Sequence, residues 1–191
     1  MVELRRGFKT EANDLAREIR KELGLRLLDP LDPWRLADHL AIEVIPLSEL
    51  VDDADGAVRY LLDVDPASFS AVTVFYGTER LIVHNDGHSP GRQASNLSHE
   101  LAHGLLLHPP APALDAGGCR NWDPVLEGEA EYVAGALLIT EEAALQIVRS
   151  GTSLDAAAVR FGVSLPMVRY RINVTGARQR VQRARRSRRS G

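Results

Sequence analysis

His99-Glu100-Leu101-Ala102-His103 is the part of this sequence best equipped for chemistry. On an α-helix, at about 100° per residue, histidines four apart stand about 40° apart around the axis, so both imidazoles can reach one metal ion. Glu100 points aside from that stripe. There it can take a proton from a water on the metal instead of ligating, and zinc lowers the pKa of such a water toward neutrality. Leu97, Leu101, Leu105 and Leu106 supply an apolar side, as a helix buried at an active site needs. One zinc per chain is expected, with His99 and His103 as ligands and Glu100 as the catalytic base.

A third ligand must come from elsewhere. An extended motif with a third histidine would place glycine at 106 and histidine at 109, where Leu106 and Pro109 stand. His108 is one residue early, and the following proline pair marks it as a solvated histidine at a helix end. The other common solution is a glutamate from a later helix. Glu127, Glu129 and Glu131 all lie in the helical run from Leu126 to Leu138. Glu127, Ala130, Ala134 and Leu138 form one stripe on its buried face, and a carboxylate there is costly unless paired or bound to metal. The two alanines allow close approach of the helix that carries His99. Glu127 is therefore favoured, with Glu129 as the alternative.

These residues resemble a known family. The run GRQASNLSHELAHGLLLH, followed by VLEGEAEYVAGALLIT, is similar to the ImmA/IrrE-type zinc metallopeptidases. The similarity extends outward to the N-terminal helices, to ERLIVHND before the active-site helix, and to RFGVSLPMVRYRINVTG after the core, over residues 8–176. Carried over by position, it implies His99 and His103 as ligands, Glu100 as base and Glu127 as third ligand. It also implies a regulatory substrate, a helix-turn-helix repressor cleaved to release stress-response or mobile-element genes. A non-catalytic antirepressor or DNA-binding regulator is the competing class, and the intact Glu100 argues against it.

The elements that must position these residues can be read from periodicity. A helix runs from Phe8 to Leu23, and Asp32-Pro33 opens a second through Leu40. Residues 42–46 read as a short strand, 50–56 as an acidic turn, and 71–76 with 80–84 as a hairpin. The active-site helix spans 92–108. Helices follow at 126–138 and from Thr140 to Arg149, with Ser153 and Ser164 capping two short ones. The expected fold is α+β and zincin-like, with a small sheet and a helical, helix-turn-helix-like C-terminal segment. Its expected divisions are a peptidase domain over 1–150, a packed segment over 151–176 and a disordered tail over 177–191. In a zincin cleft the substrate lies extended on an edge strand, and 80–84 is the candidate, because it leads into the active-site helix.

The 191 residues are 45% hydrophobic and 26% charged, ordinary values that exclude wholesale disorder. A net charge of −3 conceals seven arginines and no acid in residues 178–191, behind an acidic body. That tail, with Arg169 and Arg171 in the second helix of the C-terminal segment, could make weak, salt-dependent DNA contacts. The single cysteine, Cys119, excludes an intrachain disulfide; it could cap the zinc reversibly but reads more simply as a loop residue. No apolar leader or membrane span is visible, so a cytoplasmic location is expected. His84 and His88 flank a turn and could contact substrate, while Tyr132 and Tyr170 are candidate oxyanion partners.

Overall fold

The computed structural model describes residues 4–76, 79–109 and 123–187. Three strands form one sheet among them: β1 (Glu43–Pro46), β2 (Ala71–Tyr76) and β3 (Glu79–His84), in the order β1-β3-β2. β3 is the central strand, parallel to β1 and antiparallel to β2, with Thr73 opposite Ile82. This corrects the expectation that 80–84 offers an edge to substrate. Both ladders of β3 are occupied, and among the described residues β1 and β2 are the sheet's two edges.

Strand alternation divides the sheet's two faces. Ala71 and Ile82 join the main core with α1 (Phe8–Glu22), α2 (Pro33–His39), α4 (Pro90–Leu105) and α5 (Pro124–Leu138). Val72, Leu81 and Val83 face a second apolar cluster on the other side. That cluster is roofed by residues 47–64, which are helical and not the expected acidic turn. A 3-10 turn (Leu47–Leu50) leads into α3 (Val51–Arg59), and a π-helical turn (Tyr60–Val64) ends the run. Burial of Leu47 and Val58 against Val83 accounts for the difference, since tertiary packing overrides a polar local sequence.

α5 is the central helix. From Glu129 to Leu138 every residue but Glu131 is buried. Asp123 caps its N-terminus by accepting from the Val125 and Leu126 amides, and Pro124 starts its first turn. At its other end two buried arginines donate to carbonyls. Arg20 reaches the Leu137 oxygen at 2.7 Å, and Arg171 the Ile139 oxygen at 2.8 Å. Burial pushes the Arg20 guanidinium down to about 10, still charged at neutral pH. Gly135 is needed where Arg171 crosses, because a Cβ there would lie 2.7 Å from the Arg171 side chain. Arg171 is thus a core residue and not a phosphate contact, whereas Arg169 is exposed.

The C-terminal helices α6 (Glu141–Ser150), α7 (Leu154–Phe161) and α8 (Leu165–Val174) share a core with the end of α5. Thr140, Ser153 and Ser164 cap them as their positions suggested. The turn between α7 and α8 lies against the start of α4, so closely that a Cβ on Gly91 would stand 2.6 Å from the Val163 carbonyl carbon. Residues 177–187 form α9 (Ala177–Ser187) and not an unstructured tail. Ala177 and Val181 are buried, and Arg180 pairs with Glu141 at 2.8 Å. Two apolar positions four apart suffice for one helical face once α6 is there to receive it. No described helix is long and apolar enough to cross a membrane.

Candidate metal centre

α4 and α5 lie side by side and bring His99, His103 and Glu127 together. One ligand atom from each lies within 4.8 Å of the others. His99 Nε2 is 3.0 Å from Glu127 Oε2 and 3.1 Å from His103 Nε2. His103 Nε2 is 3.8 Å from Glu127 Oε1. Tetrahedral ligands at zinc–nitrogen distances stand about 3.3 Å apart; the two His99 separations are close to that, and the His103 separation, to the other Glu127 oxygen, is longer. The donor set also fits a cation chemically. Two imidazole nitrogens and a carboxylate converge, and the imidazoles of His103 and His99 hold the Glu127 carboxyl far below the usual carboxylate range.

Glu100 stays outside this cluster. Thr73 on β2 donates its hydroxyl to Glu100 Oε2 at 2.7 Å and steadies the carboxylate beside the ligands. Thr73 carried no signal in the sequence, because its contact with Glu100 spans the packing of α4 beneath the sheet.

The IrrE N-terminal-like domain model of the peptidase M78 family matches residues 51–173, more than half of the chain. The chain belongs to this family. Membership makes it a metallopeptidase-family protein of α+β fold. No curated protein and no solved structure matches the chain.

In this M78 chain the other candidates have different tasks. Glu129 does not join the cluster. It is buried and lies 3.3 Å from Arg5 Nε and 3.5 Å from His108 Nε2. His108 is not solvated as expected; its side chain is 6% exposed, and its Nδ1 stands 2.9 Å from Nδ1 of His103. Burial, then the neighbouring His103, lowers the His108 imidazole below its usual range. The backbone explains the position. α4 ends at Leu105, Leu107 takes a left-handed conformation (φ 54°), and the His108 amide donates back to the His103 carbonyl at 3.0 Å. The ring is thereby folded onto the last turn of the helix.

His84 and His88 make contacts outside the His99, His103 and Glu127 cluster. His84 is buried edge-on to Trp34, with ring centroids 5.9 Å apart, and burial lowers its pKa. One ring nitrogen of His88 lies 2.7 Å from the Pro66 carbonyl and the other 3.2 Å from Asn96. Tyr132 is buried beneath Arg171, whose guanidinium carbon lies 5.1 Å from the ring centre. Burial raises the Tyr170 hydroxyl well above its usual range. Cys119 lies outside the described residues.

Proposed function

We propose that the chain is a zinc-dependent endopeptidase that acts in gene regulation by cutting a helix-turn-helix repressor. The supporting observation is the pairing of a convergent His99, His103 and Glu127 set with a separate carboxylate, Glu100, held beside it by Thr73. A purely structural metal site has no use for a base adjacent to its ligands. His99, His103 and Glu127 would hold the zinc ion, which when bound would supply Lewis acidity toward a scissile carbonyl and a water. Glu100 would accept a proton from the water as its oxygen adds to the peptide carbonyl carbon, and would pass that proton to the amide nitrogen as the C–N bond breaks. The Thr73 hydroxyl fixes which carboxylate oxygen remains available for this transfer.

β2 is the strand on which an extended substrate would align. Its outer edge is unpaired among the described residues, it carries Thr73, and Val74 and Phe75 are exposed on it. A segment bound there must be extended, so the target exposes a linker or a locally unfolding helix. A linker between the DNA-binding and dimerisation halves of a repressor meets that need, and one cut there would abolish cooperative operator binding. Weak, sequence-independent phosphate contact is assigned to Arg169 and the exposed arginines of α9.

The test is co-expression with the repressor encoded nearest to this protein. A single discrete cut that requires both zinc and Glu100 is expected. Displacement of the repressor from DNA without any cut would replace the protease with a sequestering antirepressor.

A further inference from the structure

We propose that His108 is a positioning residue that, with Glu129 and Arg5 behind it, fixes His103 in the tautomer able to bind the metal. This rests on the metal-site reading above and extends it to residues outside the ligand set. The argument follows proton positions along a chain of contacts. Nε2 of His103 faces His99 and Glu127, so as a ligand it must offer a lone pair. The ring proton of His103 then sits on Nδ1, the atom 2.9 Å from Nδ1 of His108. Two N–H groups cannot face each other at that distance, so His108 Nδ1 accepts and His108 carries its own proton on Nε2. That Nε2 points to Glu129 Oε2 at 3.5 Å, and Glu129 is held in turn by Arg5.

The Nε2–Glu129 contact is long for a hydrogen bond, and His108 Nε2 otherwise has no partner although it is buried. An approach of about 0.5 Å would complete it. Every group in the chain has the polarity its neighbour needs. Histidine ligands commonly donate their second nitrogen to a carboxylate, directly, to set orientation and basicity. Here an imidazole stands between ligand and carboxylate.

The backbone gives a second, independent indication. The chain reverses at Leu107, whose φ of 54° lies in the left-handed region although it carries a side chain that is 81% exposed. Such a conformation is disfavoured for a residue other than glycine. Leu107 buries little in return, and the reversal delivers the His108 ring to the back of His103. Strain retained beside a site is consistent with the reversal serving that site.

The experiment uses the full chain with two readouts. Zinc affinity is measured by competition with a chromogenic chelator, and the ring-proton position of His103 by nitrogen-15 NMR of the metal-free protein. His108→Ala should weaken zinc about 10–100-fold while still binding one ion. His108→Asn should recover most of that loss, because its Oδ1 can accept where Nδ1 did. Glu129→Gln should weaken zinc severalfold. In the NMR, wild type should show a proton held on His103 Nδ1, whether or not Nε2 also carries one toward Glu127, and His108→Ala should show Nδ1 partly unprotonated. Affinity of His108→Ala within about threefold of wild type would overturn the proposal. Complete loss of zinc in both the Ala and Asn variants would overturn it too, because it would make His108 a ligand. If His108→Ala does not fold, the Asn and Gln variants carry the test, and wild-type affinity in Glu129→Gln counts against the relay. If wild type binds no zinc, the metal reading fails, and the tautomer of His103 still decides the relay.

Discussion

The two ends of α5 make a useful contrast. At the C-terminal end, the carbonyls of Leu137 and Ile139 receive donors from Arg20 and Arg171, both fully buried. Each acceptor there meets a cation that the chain itself provides, as the negative end of a helix dipole favours. At the N-terminal end, Glu127 meets two histidines and, among the described residues, no arginine or lysine. Glu129, two residues on, does have its arginine. The difference separates acceptors met by arginines from a carboxylate met by two imidazoles. Arg20 and Arg171 hold α1 and α8 to the central helix, whereas Glu127 and its histidines form a donor set that could hold a metal ion.

That contrast is broken most sharply by removing one group from each end. His99→Ala or His103→Ala should abolish tight zinc binding, seen by metal analysis after gel filtration, while the protein stays folded. Arg171→Ala should do the opposite. It leaves a buried carbonyl unsatisfied and opens a cavity, at a cost of about 3 kcal/mol or more, read from denaturant unfolding, with one zinc still bound. If Arg171→Ala empties the site or His99→Ala unfolds the chain, the two ends are not functionally distinct. Glu127→Ala should weaken zinc more than Glu129→Ala does, and the reverse order would give Glu129 the ligand role.

Within the N-terminal end, Glu100→Gln divides binding from chemistry. It should keep zinc and fold but lower cleavage by about 10²–10⁴-fold, because the amide cannot accept the proton. Cleavage at the wild-type rate would remove Glu100 from the mechanism.

A smaller effect appears on acidification of the metal-free protein. His103 and His99 depress the Glu127 pKa in the folded state. The associated stability is therefore fully present above the carboxyl's unfolded value near 4.5 and is lost as pH falls through the lower folded value. Thermal unfolding of wild type and Glu127→Gln should differ most above about pH 4.5 and converge below it. A difference that grows as pH falls would reverse the sign and the assignment. Arg20 and Arg171 stay charged throughout, so the other end should show no such dependence.

The smallest change expected is from truncation after Gly176. It removes α9, uncovers part of α6 and breaks the exposed Arg180–Glu141 pair, costing about 1–2 kcal/mol with zinc content unchanged. Nonspecific DNA retention should fall, and its salt dependence should flatten. Loss of zinc on this truncation would show that the C-terminal helices support the metal centre directly.

Periodic features were legible in the sequence for a simple reason. The histidine pair depends on helical geometry within five residues, and the placing of Glu127 on the buried stripe depends on one helical wheel. Caps at Asp32, Thr140, Ser153 and Ser164 are likewise local, because a side-chain oxygen meets an amide two or three residues on. Residues 50–56 and 177–187 carry no helical signal of their own because their local composition is polar or charged. Their helices exist where Val58 and Val181 find apolar partners supplied by distant parts of the chain.

By itself, then, the sequence determined which side chains could bind a metal, that the carboxylate of Glu100 stands next to them, and the helices that carry them, since each follows from spacing along one element. Tertiary structure alone decided what stands around those side chains. Pairing of β1 and β2 on either side of β3 made β3 the central strand and β2 one of the two edges, and set Thr73 against Glu100. Packing of α8 across Gly135 drew Arg171 into the core. The left-handed turn at Leu107 set His108 behind His103, with Glu129 and Arg5 beyond it. These contacts join residues through space, and no periodicity along a single element encodes them.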